Sequence, residues 1–299
     1  MSVPMRSILF VPGDSERKLE KALGSSADGI MIDLEDSVAA ARKPLARRMT
    51  ADFLRSDRAR CDKQVWVRIN PLGGQDTLAD LAAIVGGSPA GVLLPKAEGA
   101  DHIRRLGHYL DALETREAVD PGSIRIMAVA TETAASTFML DQYRAAGMSR
   151  LYGLTWGAED LSADIGATTN RDADGRWSLT YRMVRSNMLL AAKAAGLHAI
   201  DTAYPDFSDL DALRRSLDAS RREGFNGGFA IHPAQIEPLN DAFSPSAEDI
   251  ALAERVVAAF TANPEAGTLG IEGRMYDRPH LVQAEKVLAM RDAFAAKPT

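Results

Sequence analysis

Two acidic residues near the middle of the chain hold the clearest chemical potential. Glu132 closes the run Ile124–Glu132 (IRIMAVATE), and Asp160 closes Leu151–Asp160 (LYGLTWGAED). Two hard carboxylates at neighbouring strand ends, without paired histidines or cysteines, suit Mg²⁺ or Mn²⁺. The competing reading is that both cap helices or pair with arginines. Arg68 is a charge inside the apolar run Val65–Asn70 (VWVRIN). A buried arginine needs an anion, either a structural carboxylate or a substrate. Lys96 ends Val92–Lys96 (VLLPK). It could be a Schiff-base nucleophile, an electrostatic anchor or a salt-bridge partner, and the salt bridge is the plainest of the three. His232 ends Gly228–His232 (GFAIH) ahead of Pro233, where a histidine more often serves local backbone than chemistry.

Other chemistries lack their signatures. No His-x-His or His-Glu-x-x-His spacing supports a zinc hydrolase, and no Gly-x-Ser-x-Gly elbow supports a serine hydrolase. Neither a dinucleotide fingerprint nor a Walker A motif is present. Cys61 is the single cysteine, which rules out an intrachain disulfide and a thiolate-rich zinc site. Its neighbours Arg60 and Lys63 favour a thiolate, but a packing role is the simpler reading.

The elements that must position these residues follow one pattern. Eight short apolar runs end in a polar, chemically capable residue, and helical stretches separate them. Besides the five above, the runs are Ser7–Pro12, Gly29–Glu35 and Ala199–Tyr204. Alternating strands and helices at this length predict a parallel sheet, and eight units predict a closed (β/α)8 TIM barrel. Its strand ends share one mouth, where Asp33, Glu35, Arg68, Lys96, Glu132, Asp160 and His232 would converge. Helices are predicted over Glu16–Leu23, Asp76–Val85, Ala100–Leu113, Thr133–Ala146, Tyr181–Ala195 and Leu210–Glu223. A basic run from Arg42 to Arg60 reads as a solvated helix face or as a contact for part of an anionic ligand. The polar stretch Thr168–Arg176 reads as a loop over the mouth. We expect the barrel to occupy residues 1–245 and a C-terminal helical extension to occupy residues 246–299. That extension would hold helices near Ala247–Phe260 and Leu281–Phe294 with a loop or lid between them.

The formal net charge of −6 argues against nucleic-acid binding. No apolar stretch approaches the ~20 residues of a membrane span. The N-terminus lacks the pattern of a signal peptide, so a cytoplasmic location is expected.

Taken together, the motifs resemble the citrate lyase β-subunit-like family of the HpcH/HpaI aldolase superfamily, which includes malyl-CoA, citramalyl-CoA and citryl-thioester lyases. They are RSILFVPG from Arg6, MIDLEDSV from Met31, VRIN from Val67, LLPKAE from Leu93, ATET from Ala130, GAEDLSADIGA from Gly157, AIHPAQ from Ala230 and GRMYDRPH from Gly273. The resemblance implies Mg²⁺ held at Glu132 and Asp160, and Arg68 on the substrate acid or its thioester carbonyl. It implies that Asp277, in the C-terminal lid, is an acid/base reaching a neighbouring subunit's barrel. It also implies coenzyme A contacts around Arg17, Lys18 and His232. The implied partners are an acyl-CoA and a small oxoacid. The implied assembly is a homo-oligomer, a trimer or hexamer, that shares its lids. The implied reaction cleaves a 3-hydroxyacyl-CoA to acetyl-CoA and an oxoacid through an enolate. Thioester hydrolysis, and service as a lyase subunit acting on a carrier protein, are the alternatives.

Overall fold

The computed structural model describes residues 4–295 apart from Arg60 and Ala146. Arg60, expected in the basic run beside Cys61, and Ala146, expected to end a helix, lie outside the described residues. Eight parallel strands close a barrel in sequence order. They are β1 (Ser7–Pro12), β2 (Gly29–Asp33), β3 (Gln64–Arg68), β4 (Gly91–Leu94), β5 (Arg125–Val129), β6 (Leu151–Thr155), β7 (His198–Asp201) and β8 (Gly227–Ala230). Strand β1 pairs with β2 on one side and with β8 on the other, which closes the ring. The crossover helices are α1 (Glu16–Leu23), α2 (Lys43–Arg55), α3 (Gln75–Ile84), α4 (Gly99–Glu117), α5 (Ala134–Thr137), α6 (Glu159–Asp164), α7 (Leu179–Ala194) and α8 (Leu210–Glu223), with α9 (Ile236–Phe243) after β8.

The barrel interior is filled by side chains that alternate along each strand. Ile8, Met31, Trp66, Leu93, Met127, Val129, Tyr152, Ile200 and Phe229 pack together there. Period-two alternation then carries Asp33 and Arg68, two residues beyond Met31 and Trp66, to the same face nearer the strand ends. A methyl on Gly91 would lie 2.3 Å from the Trp66 ring, so the glycine makes room for the indole.

Every strand after β1 stops short of its expected end. Strand β5 ends at Val129 and β6 at Thr155, which leaves Glu132 and Asp160 beyond the ladder. Likewise β8 ends two residues before His232 and β4 two before Lys96. Glu132, Lys96 and His232 therefore sit on the βα loops and Asp160 in the first turn of α6, free of the spacing that strand pairing imposes.

The helix predicted over Thr133–Ala146 is replaced by the single turn α5 and a 3-10 segment, Leu140–Arg144. Ser136 and Thr137 hydroxyls donate to the carbonyls of Thr133 and Ala134 at 2.7 Å, which competes with helix propagation.

The chain divides into two compact units, Met5–Asn240 and one that begins at Asp241. In the second, α10 (Ala247–Ala262) packs against α11 (Arg278–Ala295). The segment expected as a loop between them forms an antiparallel hairpin, β9 (Thr268–Ile271) and β10 (Arg274–Asp277). Its two-residue turn, Glu272–Gly273, has φ of 50° and 78°, the left-handed geometry that such hairpins require. Leu269, Ile271 and Tyr276 pack on a core of Ala253, Val256, Phe260 and Ala284. The alternation of Leu269 with Ile271, read with Gly273, was the available strand signal.

Candidate active site

Arg68 and Asp33 are register partners on adjacent strands. Arg68 Nε and Nη2 donate to the two Asp33 oxygens, each at 2.7 Å. This bidentate geometry is the strongest form of the pair. The backbone N–H groups of Glu35 and Ser37 also donate to Asp33, at 2.9 and 3.0 Å. Burial alone would raise the Asp33 carboxyl, but Arg68 and these amides outweigh it and hold it below the usual range. Arg68 Nη1 lies 3.0 Å from Glu35 Oε2, an ion pair without hydrogen-bond alignment. The guanidinium also sits 5.0 Å from the centre of the Phe10 ring. Of the two partners left open for Arg68, the structural carboxylate is present, and it leaves only Nη1 turned elsewhere.

Asn70, two residues beyond Arg68, fixes this corner from outside. Its amide donates to Leu34 O and to buried Asp80 at 3.0 and 2.7 Å. Much of the basic run is taken up by carboxylates. Arg47 pairs with Asp76 and Asp80, Arg42 with Asp14, and Arg58 with Glu16 and Glu20.

Glu132 is buried. Its Oε2 accepts from the backbone N–H of Lys96 at 2.5 Å. Burial pushes its carboxyl up to about 8, the Lys96 amide only partly offsets this, and Asp160 adds to it. A methyl on Gly157 would lie 2.6 Å from Glu132 Cγ, so the glycine is what lets the side chain occupy its position. Asp160 falls in the first turn of α6 and is partly exposed. The Lys96 ammonium lies 3.0 Å from Asp160 Oδ1 and 2.9 Å from Glu35 Oε1. The salt-bridge reading of Lys96 therefore holds. Desolvation raises Glu35 above the usual range despite its two cations.

Arg68, Glu132, Asp160 and Lys18 line one cavity of about 360 Å³. Phe10, Leu93, Val129, Ala203 and Phe229 give it an apolar floor. Arg17 is exposed in the first turn of α1, one residue before Lys18, and is not part of this lining. His232 is exposed, and its Nδ1 accepts from Ala234 N at 3.2 Å, which leaves Nε2 to carry the proton of the neutral ring. The ring stacks on Phe207 at 4.9 Å. Asp277 belongs to the C-terminal unit, where it ends β10. Its Oδ1 meets His280 Nδ1, and this contact holds the carboxyl below its ordinary value.

The donor set fits a hard divalent ion. Four carboxylates border the cavity: Asp33, which Arg68 holds, and Glu132, Glu159 and Asp160. Glu35 lies behind them, ion-paired to Arg68 and Lys96. Among the described residues, no three acidic, histidine or cysteine side chains enclose an ion by themselves. Solvent and substrate oxygens would complete the shell, the arrangement Mg²⁺ favours. Sequence reasoning missed Gly157 as the space for Glu132 and the Lys96 N–H as its anchor. Only the glycine in GAED was visible as a signal.

A closed (β/α)8 barrel with a grip of arginine and carboxylates at its strand ends has the architecture of the barrel enzymes, a class whose active sites occupy that mouth. The chain belongs to the HpcH/HpaI aldolase/citrate lyase family, whose model matches residues 6–233. It is 35% identical over 298 residues to a (3S)-malyl-CoA thioesterase of Cereibacter sphaeroides, covering 98% of this chain and 96% of that one. It is 31% identical to a mitochondrial citramalyl-CoA lyase of Rattus norvegicus, covering 99% and 88%. Among solved structures it resembles CitE from Mycobacterium tuberculosis in complex with magnesium, acetoacetate and coenzyme A. That likeness has a TM-score of 0.78 at 34% identity and covers 97% and 98% of the two chains. Among the described residues no helix is long and apolar enough to cross a membrane.

Proposed function

We propose that the chain is a Mg²⁺-dependent carbon–carbon lyase acting on a 3-hydroxyacyl-CoA such as malyl-CoA or citramalyl-CoA. The observation that carries this is a single cavity bordered by Glu132, Asp160 and Arg68. The binding of magnesium, acetoacetate and coenzyme A by the similar CitE supports it. In the reaction the 3-hydroxyl gives up its proton to solvent, and the C2–C3 bond breaks with its electron pair passing to the thioester as an enolate. A carbonyl forms at C3, and the thioester enolate gains a proton at C2.

Glu132 and Asp160 would hold Mg²⁺, which supplies Lewis-acid stabilisation of substrate oxygen charge when bound. Arg68, locked by Asp33, presents fixed positive charge for the enolate oxygen without reorganising. Asp277 is the group assigned to the C2 proton; its contact with His280 favours the ionised form, which takes that proton in the condensing direction, whereas cleavage requires the carboxyl to be protonated before it donates. Lys18, and more loosely Arg17 and His232, are assigned to coenzyme A. A homo-oligomer, a trimer or hexamer with shared lids, is part of the same proposal.

A second reading, hydrolysis of the thioester, is favoured by the similarity to a malyl-CoA thioesterase. The test is incubation with hydroxyacyl-CoA esters and Mg²⁺, followed by simultaneous detection of products. Acetyl-CoA with an oxoacid is the expected result. Free CoA with the intact hydroxyacid would replace the lyase by the hydrolase.

A further inference from the structure

Lys96 stands where the carboxylates of the proposed metal site converge. Its ammonium lies 2.9 Å from Glu35 Oε1 and 3.0 Å from Asp160 Oδ1, and its backbone N–H holds Glu132 Oε2 at 2.5 Å. Its φ is +49°, a left-handed conformation that a non-glycine residue keeps only where its surroundings enforce it. One residue thus makes two separable contacts with the site, a main-chain anchor on Glu132 and a movable charge on Asp160 and Glu35.

Three carboxylates drawn together out of bulk water need positive charge nearby. A lysine supplies it as a compact point charge on a flexible stem, with no fork geometry to fix it in place. The side chain keeps about a third of its surface exposed at 32%, so its ammonium has a path to solvent.

We propose that Lys96 is a built-in placeholder. Its ammonium balances the cluster in the metal-free protein and leaves both Asp160 and Glu35 when a divalent cation binds, while its N–H continues to hold Glu132. The proposal rests on the reading of Glu132 and Asp160 as metal ligands. Its consequence is an affinity for the free ion below what the bare carboxylates would give. Lys96 is on this account a positioning residue and takes no part in bond making.

The test measures binding of Mn²⁺ alone by calorimetry and by electron paramagnetic resonance in wild type, Lys96→Met and Lys96→Arg. Removing a like charge so close should tighten Mn²⁺ binding by roughly tenfold or more in Lys96→Met, with no gain in Lys96→Arg, which keeps the charge. Equal or weaker binding in Lys96→Met would overturn the placeholder and leave the metal reading intact. Absence of Mn²⁺ binding in wild type and in Lys96→Met would overturn both. A second measurement needs no variant: acetylation of Lys96 in the wild type, followed by mass spectrometry. The rate should rise several-fold on Mn²⁺ saturation as the ammonium leaves its ion pairs. An unchanged or slower rate would also overturn the proposal.

Discussion

Arg68 grips Asp33 across two strands that place the residues directly opposite one another, with both hydrogen bonds at 2.7 Å. The grip fixes the plane of the guanidinium, so Nη1, the nitrogen not bound to Asp33, points in a set direction beside Glu35. Lysine retains the charge and loses both the fork and that direction. Arg68→Lys should therefore be nearly as damaging as Arg68→Ala, with kcat reduced by ~10²–10³. Steady-state kinetics, with circular dichroism to confirm folding, check this. A lysine variant that keeps most of its activity would reduce Arg68 to a structural ion pair.

Glu132→Ala and Asp160→Ala should each leave the barrel folded and weaken Mn²⁺ binding by more than ~10²-fold, since even outer partners of a metal site contribute ~10–100-fold. Chelation should inactivate the wild type, with Mg²⁺ or Mn²⁺ restoring turnover better than Zn²⁺. Turnover in either variant without added metal would end the assignment.

Glu132 gives a pH signature. Its folded value of about 8 lies above the reference 4.5 because burial penalises the charged form. The native state therefore holds a proton that the unfolded chain gives up. The resulting stability is complete below about pH 4.5 and is lost as pH rises through about 8. Melting temperatures of chelator-treated protein should fall across that window. Glu132→Gln should remove much of the slope, leaving a remainder from Glu35, which burial also raises. Mn²⁺ binds the deprotonated carboxylate, so its affinity should increase with pH over the same range.

Gly157→Ala places a methyl 2.6 Å from Glu132 Cγ. Glu132 must shift, and the hydrogen bond from Lys96 N–H must lengthen. A loss of roughly tenfold in Mn²⁺ affinity is expected, comparable to the loss of an outer-shell partner. Unchanged affinity would mean that the mouth relaxes around the added carbon.

Asp277→Asn should still bind Mn²⁺ and acyl-CoA but lose ~10²–10⁴-fold in turnover, the usual contribution of a positioned acid or base. Mixing Asp277→Asn with Glu132→Ala protomers and allowing subunit exchange should restore part of the activity. Mixed oligomers, verified by mass spectrometry, that stay inactive would remove the shared-lid proposal.

The barrel was legible because its signal is redundant. Eight runs such as Val65–Asn70 repeat one pattern, and an error in one would not have changed the architecture. Glu132, Asp160 and Arg68 were legible by residue type, as charges at the ends of apolar runs. Their partners were less so. The motif MIDLEDSV offers several acids, and only the pairing of β2 with β3 selects Asp33 for Arg68. The Lys96 N–H is invisible to any reading of side-chain type, since every residue but proline has one. Local hydroxyls ended the predicted helix at Thr137, a competition that apolar periodicity does not register.

The β9–β10 hairpin has one more consequence. Fixing a flexible residue costs ~1–2 kcal/mol in backbone conformational entropy, so ordering eight residues at once would cost on the order of 10 kcal/mol. Each of the two strands contributes four residues, and their turn and inner face are already in place. Asp277 thus ends a strand that is already ordered, so the acid/base role proposed for it would require no folding of its own segment. On that proposal, ligand capture should proceed with little gain of backbone order in this segment, as hydrogen exchange of its amides would read.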